Sequence, residues 1–301
     1  MIMKNIFVVL SLLLLPTMLW AQQSPTQCAA EEELPATKTI TVNGVDFEFV
    51  LVKAGTFLMG SMKNDVEVKD EDETPAHWVK ITKDYYIGKT EVTKSQWTTI
   101  IKNNPSYNLR GDNLPVESIT WYNICGKNGF LSKINYINKD NGTFRLPTEA
   151  EWEFAAIGGV KSKGYKYSGS NEISDVAWYR FTAKDGCSKP VATLRSNELG
   201  IYDMSGNVWE WTTDGYTNQY PNSTFNNPLI DPKGTISGKF KVIRGGAHTN
   251  TPQLSKENFA GGKEWEKAQD EAADMCRVKV RNSCSPFVRS PAIGFRLVWI
   301  P

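Results

Sequence analysis

Apolar and polar residues alternate through the first well-patterned stretch of the chain, residues 38–61 (KTITVNGVDFEFVLVKAGTFLMGS). A period of two predicts half-buried β-strands, and Asn43-Gly44 between two alternating runs is a hairpin signal. A second run, VKITKDYYIGKTEV (79–92), follows the acidic, turn-rich segment 64–78. We therefore expect strands on both sides of a surface loop, with His77 of that loop exposed.

The period changes to that of a helix at three places. Thr93 and Gln96 form a capping-box pattern before KSQWTTIIKN, and Thr148 and Glu151 form one in RLPTEAEWEFAA (145–156). A further helix is expected from Thr120 through WYNICGKNGFLSKI, where two glycines weaken the pattern. Residues 160–301 are dense in Gly, Trp and turn residues, with short strand-like pieces. The pattern predicts a mixed α+β domain with few helices.

The first 21 residues have the pattern of a secretory signal peptide. Lys4 precedes the apolar run IFVVLSLLLL (6–15), and cleavage is expected near Ala21. Residues 22–38 are polar and interrupted by proline, so we expect a flexible leader there. Residues 39–301 are then expected to form one domain. These features predict a periplasmic or secreted protein with no membrane anchor.

Charge and metal-ligand content narrow the function classes. The chain has 34 Lys and Arg against 33 Asp and Glu, and loss of Lys4 with the signal peptide makes these numbers equal. A balanced charge is not the basic footprint of a nucleic-acid-binding protein, so no nucleic-acid partner is expected. Two histidines, His77 and His248, exclude a three-histidine metal centre within one chain. The odd number of cysteines leaves at least one thiol free or paired between chains, and the connectivity stays open: Cys28, Cys125, Cys187, Cys276 and Cys284.

Seven motifs occur in one order along the chain: AGTFLMGS, YYIGKTEVTKSQW, LPVESITWYN, RLPTEAEWEFAA, NELGIYDMSGNVWEW, RGGA and IGFRLV. Together they resemble the sulfatase-modifying-factor family, whose founding activity is formylglycine generation. The resemblance covers residues 45–301. It implies an α+β fold of the compact C-type-lectin-like kind, with little regular secondary structure.

The resemblance also implies a calcium site in the turn YDMSGNVWEW. Carried over position by position, the ligands are the side chains of Asp203 and Glu210 and the carbonyls of Gly206 and Val208. Calcium prefers several hard oxygen ligands, and a glycine-containing turn can direct carbonyls toward them. The alternative is an acidic hairpin whose two tryptophans pack in the core.

The resemblance fails at the copper site of the formylglycine-generating enzymes. Their two copper(I)-binding cysteines stand four and nine residues beyond the second glycine of a Gly-Gly pair. Here that glycine is Gly246, and the matching positions hold Asn250 and Ser255, neither of which is a soft sulfur ligand. No copper is therefore expected. Cys276 and Cys284 lie outside the matching positions, and catalysis by this pair is the less favoured alternative.

An insertion at about 250–275 follows the Gly-Gly pair. Within it, Trp265, Ala268, Ala272 and Met275 recur at helical spacing, which predicts a short helix over the former groove, with a disordered acidic loop as the alternative. The groove candidates are Arg244, His248, Asn250 and Arg281. We expect a non-catalytic module that binds an unidentified protein or small molecule. The alternative is an oxidase acting on exported sulfatases.

Overall fold

The structure is a computed structural model that describes residues 34–63, 71–235, 238–249 and 263–301. Contacts between Cα atoms divide the chain into Met1–Leu34 and Pro35–Pro301, and the elements below belong to the second unit. The predicted signal peptide (1–21) and all but the end of the predicted leader (22–38) lie outside the described residues. At that end, the first strand already begins at Thr37.

The described residues form strands and helices in the order β1 (Thr37–Val42), β2 (Val45–Val52), β3 (Gly55–Met59), β4 (His77–Ile81), β5 (Tyr85–Gly88), α1 (Lys94–Ile101), α2 (Trp121–Cys125), α3 (Phe130–Ile137), β6 (Thr143–Arg145), α4 (Glu149–Ala156), α5 (Ile173–Val176), β7 (Trp209–Gly215), β8 (Leu229–Ile230), β9 (Lys241–Arg244), α6 (Lys263–Asp274), β10 (Arg281–Cys284), β11 (Ile293–Gly294) and β12 (Val298–Ile300). Long irregular segments separate many of them. Short elements joined by irregular chain fit the predicted α+β class.

The strands of the described residues pair into three sheets. The largest is antiparallel, with the strand order β1-β2-β5-β12-β6. The second has the order β10-β9-β7-β11, and the third has the order β3-β4-β8. Strand β12, near the end of the chain, lies between β5 and β6, so the first sheet is completed only by the last residues.

Local sequence signals account for several element boundaries. The hairpin between β1 and β2 turns at Asn43 and Gly44, both with positive φ, as expected. Complete capping boxes precede α1 at Thr93 and α4 at Thr148, which confirms both predicted starts. Thr120 also caps a helix, but the predicted continuous helix is divided into α2 and α3. A Cβ atom on Gly129 would lie 2.6 Å from the Ile124 carbonyl oxygen, so the chain there needs glycine.

Two large apolar clusters make up most of the core. One packs helices α1 and α3 against the first sheet and the inner residues of β7 and β9, around Trp97, Phe130 and Trp211. The other packs α4, through Trp152 and Phe154, against β3, β4 and β5. Helix α4 also contacts β7 and β9, and the Glu149 N–H in its first turn donates to Asp214 of β7, so this turn lies against the second sheet. Every helix among the described residues is too short or too polar to cross a membrane.

Candidate functional site

Two arginines from neighbouring strands converge on one carboxylate. Arg244 of β9 and Arg281 of β10 are directly opposite in the antiparallel register, so their side chains share one face of the sheet. The first turn of α4 lies against that face and contributes Glu149. Arg281 donates to both oxygens of Glu149, from Nε at 2.8 Å and Nη2 at 2.7 Å, and Arg244 Nη1 lies 3.3 Å from Oε1.

The second carboxylate of this network comes one helical turn later. Glu153 pairs with Arg244 Nη2, and the two side chains are fully buried. Arg244 also donates to the carbonyl of Val278 at 3.0 Å and lies over the Trp152 ring, 5.3 Å from its centroid. Two arginines and two glutamates, with side chains at most 6% exposed, thus balance each other in the interior. We name Glu149, Glu153, Arg244 and Arg281 the arginine network.

The charges of the network shift the pKa values of its members. Burial by itself raises the pKa of Glu149. The opposite effect is larger, because the carboxylate is stabilised by the charges of Arg281 and Arg244 and by hydrogen bonds from Arg281 and Tyr220, so the pKa lies below its usual value. Burial dominates at Glu153, whose pKa is raised. The lowered pKa of Glu149 stabilises the fold above the unfolded-state value near 4.5, and this contribution is lost as the pH falls through the folded-state pKa.

Arg281 forms part of the wall of a cavity of about 710 Å³. Its guanidinium lies over two aromatic rings, 4.2 Å from the centroid of Tyr220 and 5.0 Å from that of Tyr216. Its Nη1 donates to the carbonyls of Asp72 at 3.2 Å and Thr217 at 2.9 Å. The residues that line the cavity are Glu71, Asp72, Tyr216, Asn218, Gln219, Arg281 and Asn282.

The four predicted groove residues are not all neighbours of this cavity. Arg281 lines it, while Arg244 is buried behind Arg281 in the arginine network. His248 is buried, and its Nδ1 lies 2.7 Å from the Asn207 carbonyl, so it has the backbone-bonded role of an ordinary core histidine. Asn250, like Ser255, lies outside the described residues.

The prediction that His77 is exposed is wrong. Its side chain is buried, and its ring packs against Tyr220 with centroids 4.6 Å apart. Strand β4 begins at His77, so the residue belongs to the central strand of the third sheet, opposite Met59 of β3, and not to the acidic loop before it. Burial lowers the pKa of His77. The acidic surroundings in the sequence gave no sign of Tyr220, which lies 143 residues further along the chain.

The turn predicted to bind calcium is buried and strongly curved. Asp203, Gly206 and Asn207 have φ values of 57°, 83° and 57°, which place all three in the left-handed region. A Cβ atom on Gly206 would lie 2.5 Å from the Trp178 carbonyl oxygen. The backbone of this turn therefore depends on glycine at position 206. Asp203 Oδ2 accepts a hydrogen bond from the Ala192 N–H at 2.7 Å.

Three buried carboxylates lie close enough together near this turn for their charges and that of Arg296 to interact. Arg296 donates to both oxygens of Glu210 at 2.6 Å, and the Trp152 indole N–H donates to Glu210 Oε2 at 2.7 Å. Glu91 accepts hydrogen bonds from the Asn207 amide at 3.1 Å and the Val208 N–H at 3.3 Å. We name Glu91, Asp203 and Glu210 the carboxylate trio. Their charges exceed that of Arg296.

The electrostatics of the trio disfavour three negative charges at the same time. Burial, with the charges of Asp203 and Glu210, raises the pKa of Glu91 well above its usual value. Burial also raises the pKa of Asp203, to about 6. The donors are hard oxygens, which fit calcium chemistry. Arg296 already occupies both oxygens of Glu210, however, and no cluster of three His, Cys, Asp or Glu side chains with metal-binding geometry is present in the described part of the chain.

The insertion contains the predicted helix. Residues 263–274 form α6, and Ala268 and Ala272 are buried on one face, as the spacing indicated. The helix packs against Tyr167, Val176 and Tyr179, and Asp274 at its end accepts a hydrogen bond from Arg277 Nε at 2.7 Å. Arg277 donates to both oxygens of Glu73, at 2.7 and 3.0 Å, directly beside the cavity residues Glu71 and Asp72.

The described cysteines lie in separate places of the fold. Cys276 is buried in the cluster under α6, whereas Cys284 packs against the main core cluster. Burial raises the pKa of Cys284 and raises that of Cys125 to about 12. Thiols with raised pKa values are poor nucleophiles at neutral pH. Cys28 lies outside the described residues.

Sequence reasoning missed the partners of the predicted residues. Glu149 and Glu153 are one helical turn apart in α4, a spacing that places two carboxylates on one face, yet such pairs are usually solvated. Arg296 belongs to the recognised IGFRLV motif, and nothing local indicates that it pairs with Glu210, 86 residues earlier. Glu91 lies near the end of the alternating run 79–92, whose pattern predicts a strand.

The three-sheet α+β architecture agrees with comparisons to known proteins. The model of the sulfatase-modifying factor enzyme 1-like domain matches residues 37–300, so the chain belongs to this family. A chaperone protein LppX from Paenibacillus barcinonensis is 33% identical over 242 residues, which cover 65% of this chain and 82% of that protein.

A formylglycine-generating enzyme from Streptomyces coelicolor is 26% identical over 330 aligned positions, covering 92% of this chain and 95% of the enzyme. Among solved structures, Treponema denticola variable protein 1 superposes with a TM-score of 0.69 at 27% identity, over 89% of this chain and all of the other. The predicted family and the compact C-type-lectin-like α+β fold are thereby confirmed.

Proposed function

We propose that this chain is an exported, non-catalytic member of the family that binds a protein or small-molecule ligand in the cavity beside Arg281. The observation that carries this proposal is the chemistry of the cavity wall. Two carboxylates, three side-chain amides and a phenol surround a space of about 710 Å³, which is within the size range of ligand pockets. Such groups orient a ligand through hydrogen bonds.

The arginine network supports this role because it makes the back of the cavity rigid. Arg281 is held by Glu149, by two backbone carbonyls and by two aromatic rings. A side chain with so many partners is pre-organised, and binding next to it costs little conformational entropy. The name of the LppX relative, a chaperone protein, agrees with a protein ligand.

The sequence supports the absence of oxidase activity. Asn250 and Ser255 stand where the resemblance places the copper-binding cysteines. The competing function is formylglycine generation, which the near-complete alignment to the Streptomyces coelicolor enzyme favours. The two functions differ in whether copper(I) is bound by a pair of thiolates.

One set of assays separates these functions. Purified protein is titrated with copper(I) against a competing chelator, and a Cys-x-Pro-x-Arg peptide is followed by mass spectrometry. We expect no bis-thiolate affinity and no conversion. Turnover that disappears in a Cys276→Ser or Cys284→Ser variant would establish the oxidase instead.

Protein binding is tested by light scattering of heat-denatured citrate synthase. We expect the protein to suppress aggregation, and we expect Tyr216→Ala, in the cavity wall, to weaken the effect. The matched control is Tyr136→Ala, at a tyrosine that is 81% exposed elsewhere on the surface. Equal suppression by the two variants would place the binding outside the cavity.

We also propose that calcium binds at the turn, with Asp203 and Glu210 providing carboxylate oxygens and Gly206 and Val208 providing carbonyls. The support is the surplus of buried negative charge in the carboxylate trio, which a cation neutralises. A calcium ion there would stiffen the turn that follows Tyr202 and leads into β7.

Calcium binding should raise thermal stability by mass action. At a calcium concentration 100 times the dissociation constant the gain is about 2.7 kcal/mol, or about 5–10 °C in Tm for a domain of this size. Asp203→Ala should remove the response to calcium, and Asp140→Ala, at an exposed position, should keep it. Equal Tm values of the wild type in EDTA and in calcium would refute the site.

A further inference from the structure

A second cavity, of about 390 Å³, lies between the end of α1 and the turn that separates α2 from α3. Its wall includes Trp97, Pro105 and Tyr122, together with the asparagines at positions 103 and 128. Trp97 is itself fixed, because its ring stacks on Phe130 with centroids 5.3 Å apart. None of these residues takes part in the arginine network or in the carboxylate trio.

An exposed pair of aromatic rings extends the cavity onto the surface. Phe287 is 72% exposed and Tyr122 is 45% exposed, and their ring centroids are 4.9 Å apart. The backbone beneath them is fixed by the Trp121 N–H, which donates to the Pro286 carbonyl at 3.1 Å. Exposed apolar groups on a rigid base beside a cleft are typical of protein interaction sites.

The charges around this cleft have one sign. Lys127 and Arg289 belong to its wall, and none of the described residues that line it is Asp or Glu. The other cavity differs, because Glu71 and Asp72 belong to its wall. Since a cationic rim attracts negative ligands, the second cleft is complementary to an acidic partner.

We propose that this cleft binds an acidic peptide segment of a partner protein, with an apolar or aromatic side chain inserted beside Tyr122 and carboxylates facing Lys127 and Arg289. A peptide fits better than a saccharide because Phe287 and the neighbouring Val288, which is 37% exposed, present hydrocarbon without hydrogen-bonding groups. The surface is independent of the cavity at Arg281, so the two binding roles stand or fall separately.

The test uses three blocked synthetic pentapeptides, EEWEE, KKWKK and EEAEE, with the protein labelled with ¹⁵N. We expect EEWEE to shift the amide signals of residues 101–103, 122–129 and 287–289 in NMR spectra. KKWKK and EEAEE should bind more weakly. Higher salt should weaken the binding of EEWEE, because the charged contacts are exposed to solvent.

Matched variants locate the site. Lys127→Glu should weaken EEWEE binding about three- to tenfold, while Lys139→Glu, the same change at another exposed lysine, should not. Phe287→Ala should also weaken binding, whereas Phe225→Ala, at a ring that is 63% exposed elsewhere, should have no effect. All four positions are exposed, so each variant is expected to fold, which circular dichroism checks.

Several outcomes would overturn the proposal. One is the absence of shifts at millimolar EEWEE, and another is equal binding of KKWKK. A third is equal affinity of the Lys127→Glu and Lys139→Glu variants. Binding of polygalacturonate at the cleft in place of the peptide would assign the surface to acidic polysaccharide and reject a protein partner.

Discussion

Removal of the charge of Glu149 is the most direct perturbation of the arginine network. In a Glu149→Gln variant the side chain keeps its shape, but Arg281 loses the carboxylate of its ion pair, whereas Arg244 keeps Glu153. Both guanidiniums are buried, with side chains 0% and 2% exposed. Breaking a buried ion pair from one side costs about 3–5 kcal/mol because the remaining charge is uncompensated. This corresponds to a fall in Tm of about 6–20 °C.

Urea unfolding at neutral pH measures this cost from the shift in midpoint at unchanged slope. The control is Glu48→Gln, which breaks a surface pair with Lys89 whose side chains are 59% and 34% exposed. Such a pair contributes about 0–1 kcal/mol.

A double variant, Glu149→Leu with Arg281→Met, tests the coupling directly. It should be less destabilised than the sum of its single variants, since replacing both charges leaves fewer of them unpaired. If Glu149→Gln costs no more than Glu48→Gln, the network does not stabilise the fold and our reasoning is wrong.

Three further outcomes follow from individual residues. Burial lowers the pKa of His77 below 6.5, so the unfolded chain binds more protons than the folded one and stability falls as the pH drops below that value. His77→Gln should therefore reduce the slope of Tm against pH between about pH 7.5 and 5.5. An unchanged slope would contradict this. Arg277→Met should cost about 3–5 kcal/mol in urea unfolding, because it leaves a buried carboxylate unpaired; a loss below about 1 kcal/mol would show that the pair is effectively solvated. Gly206→Ala should destabilise the fold more than Gly200→Ala. Both positions have positive φ, but only position 206 has a carbonyl oxygen 2.5 Å from the new Cβ atom. Equal losses of Tm in calorimetry would rule out that clash.

Local features could be predicted from the sequence because their partners lie a few residues apart. The capping boxes at Thr93 and Thr148 join residues three positions apart, and the hairpin at Asn43-Gly44 needs only the φ preference of its own residues. The same is true of α6, whose buried face repeats every three or four residues. Such interactions form in nearly any tertiary context that buries the apolar face.

The family and the fold could also be predicted from the sequence, since seven ordered motifs carry more information than any single one. The motifs marked Arg244 and the turn at 203–210 as important positions, and Arg281 was a groove candidate outside the motifs. They did not show which groups these residues contact, because a motif records residue types and not their neighbours in space.

Only the tertiary structure decided the electrostatics. Glu149 meets Arg281 across 132 residues, Glu210 meets Arg296 across 86, and His77 packs on a ring from a different part of the chain. The Glu149–Arg281 contact depends on the register of β9 with β10 and on the position of α4 against that sheet. A change of one residue in that register would direct Arg281 to the opposite face. The sequence determined which charges the protein has, and the packing of distant segments determined which of them are buried together.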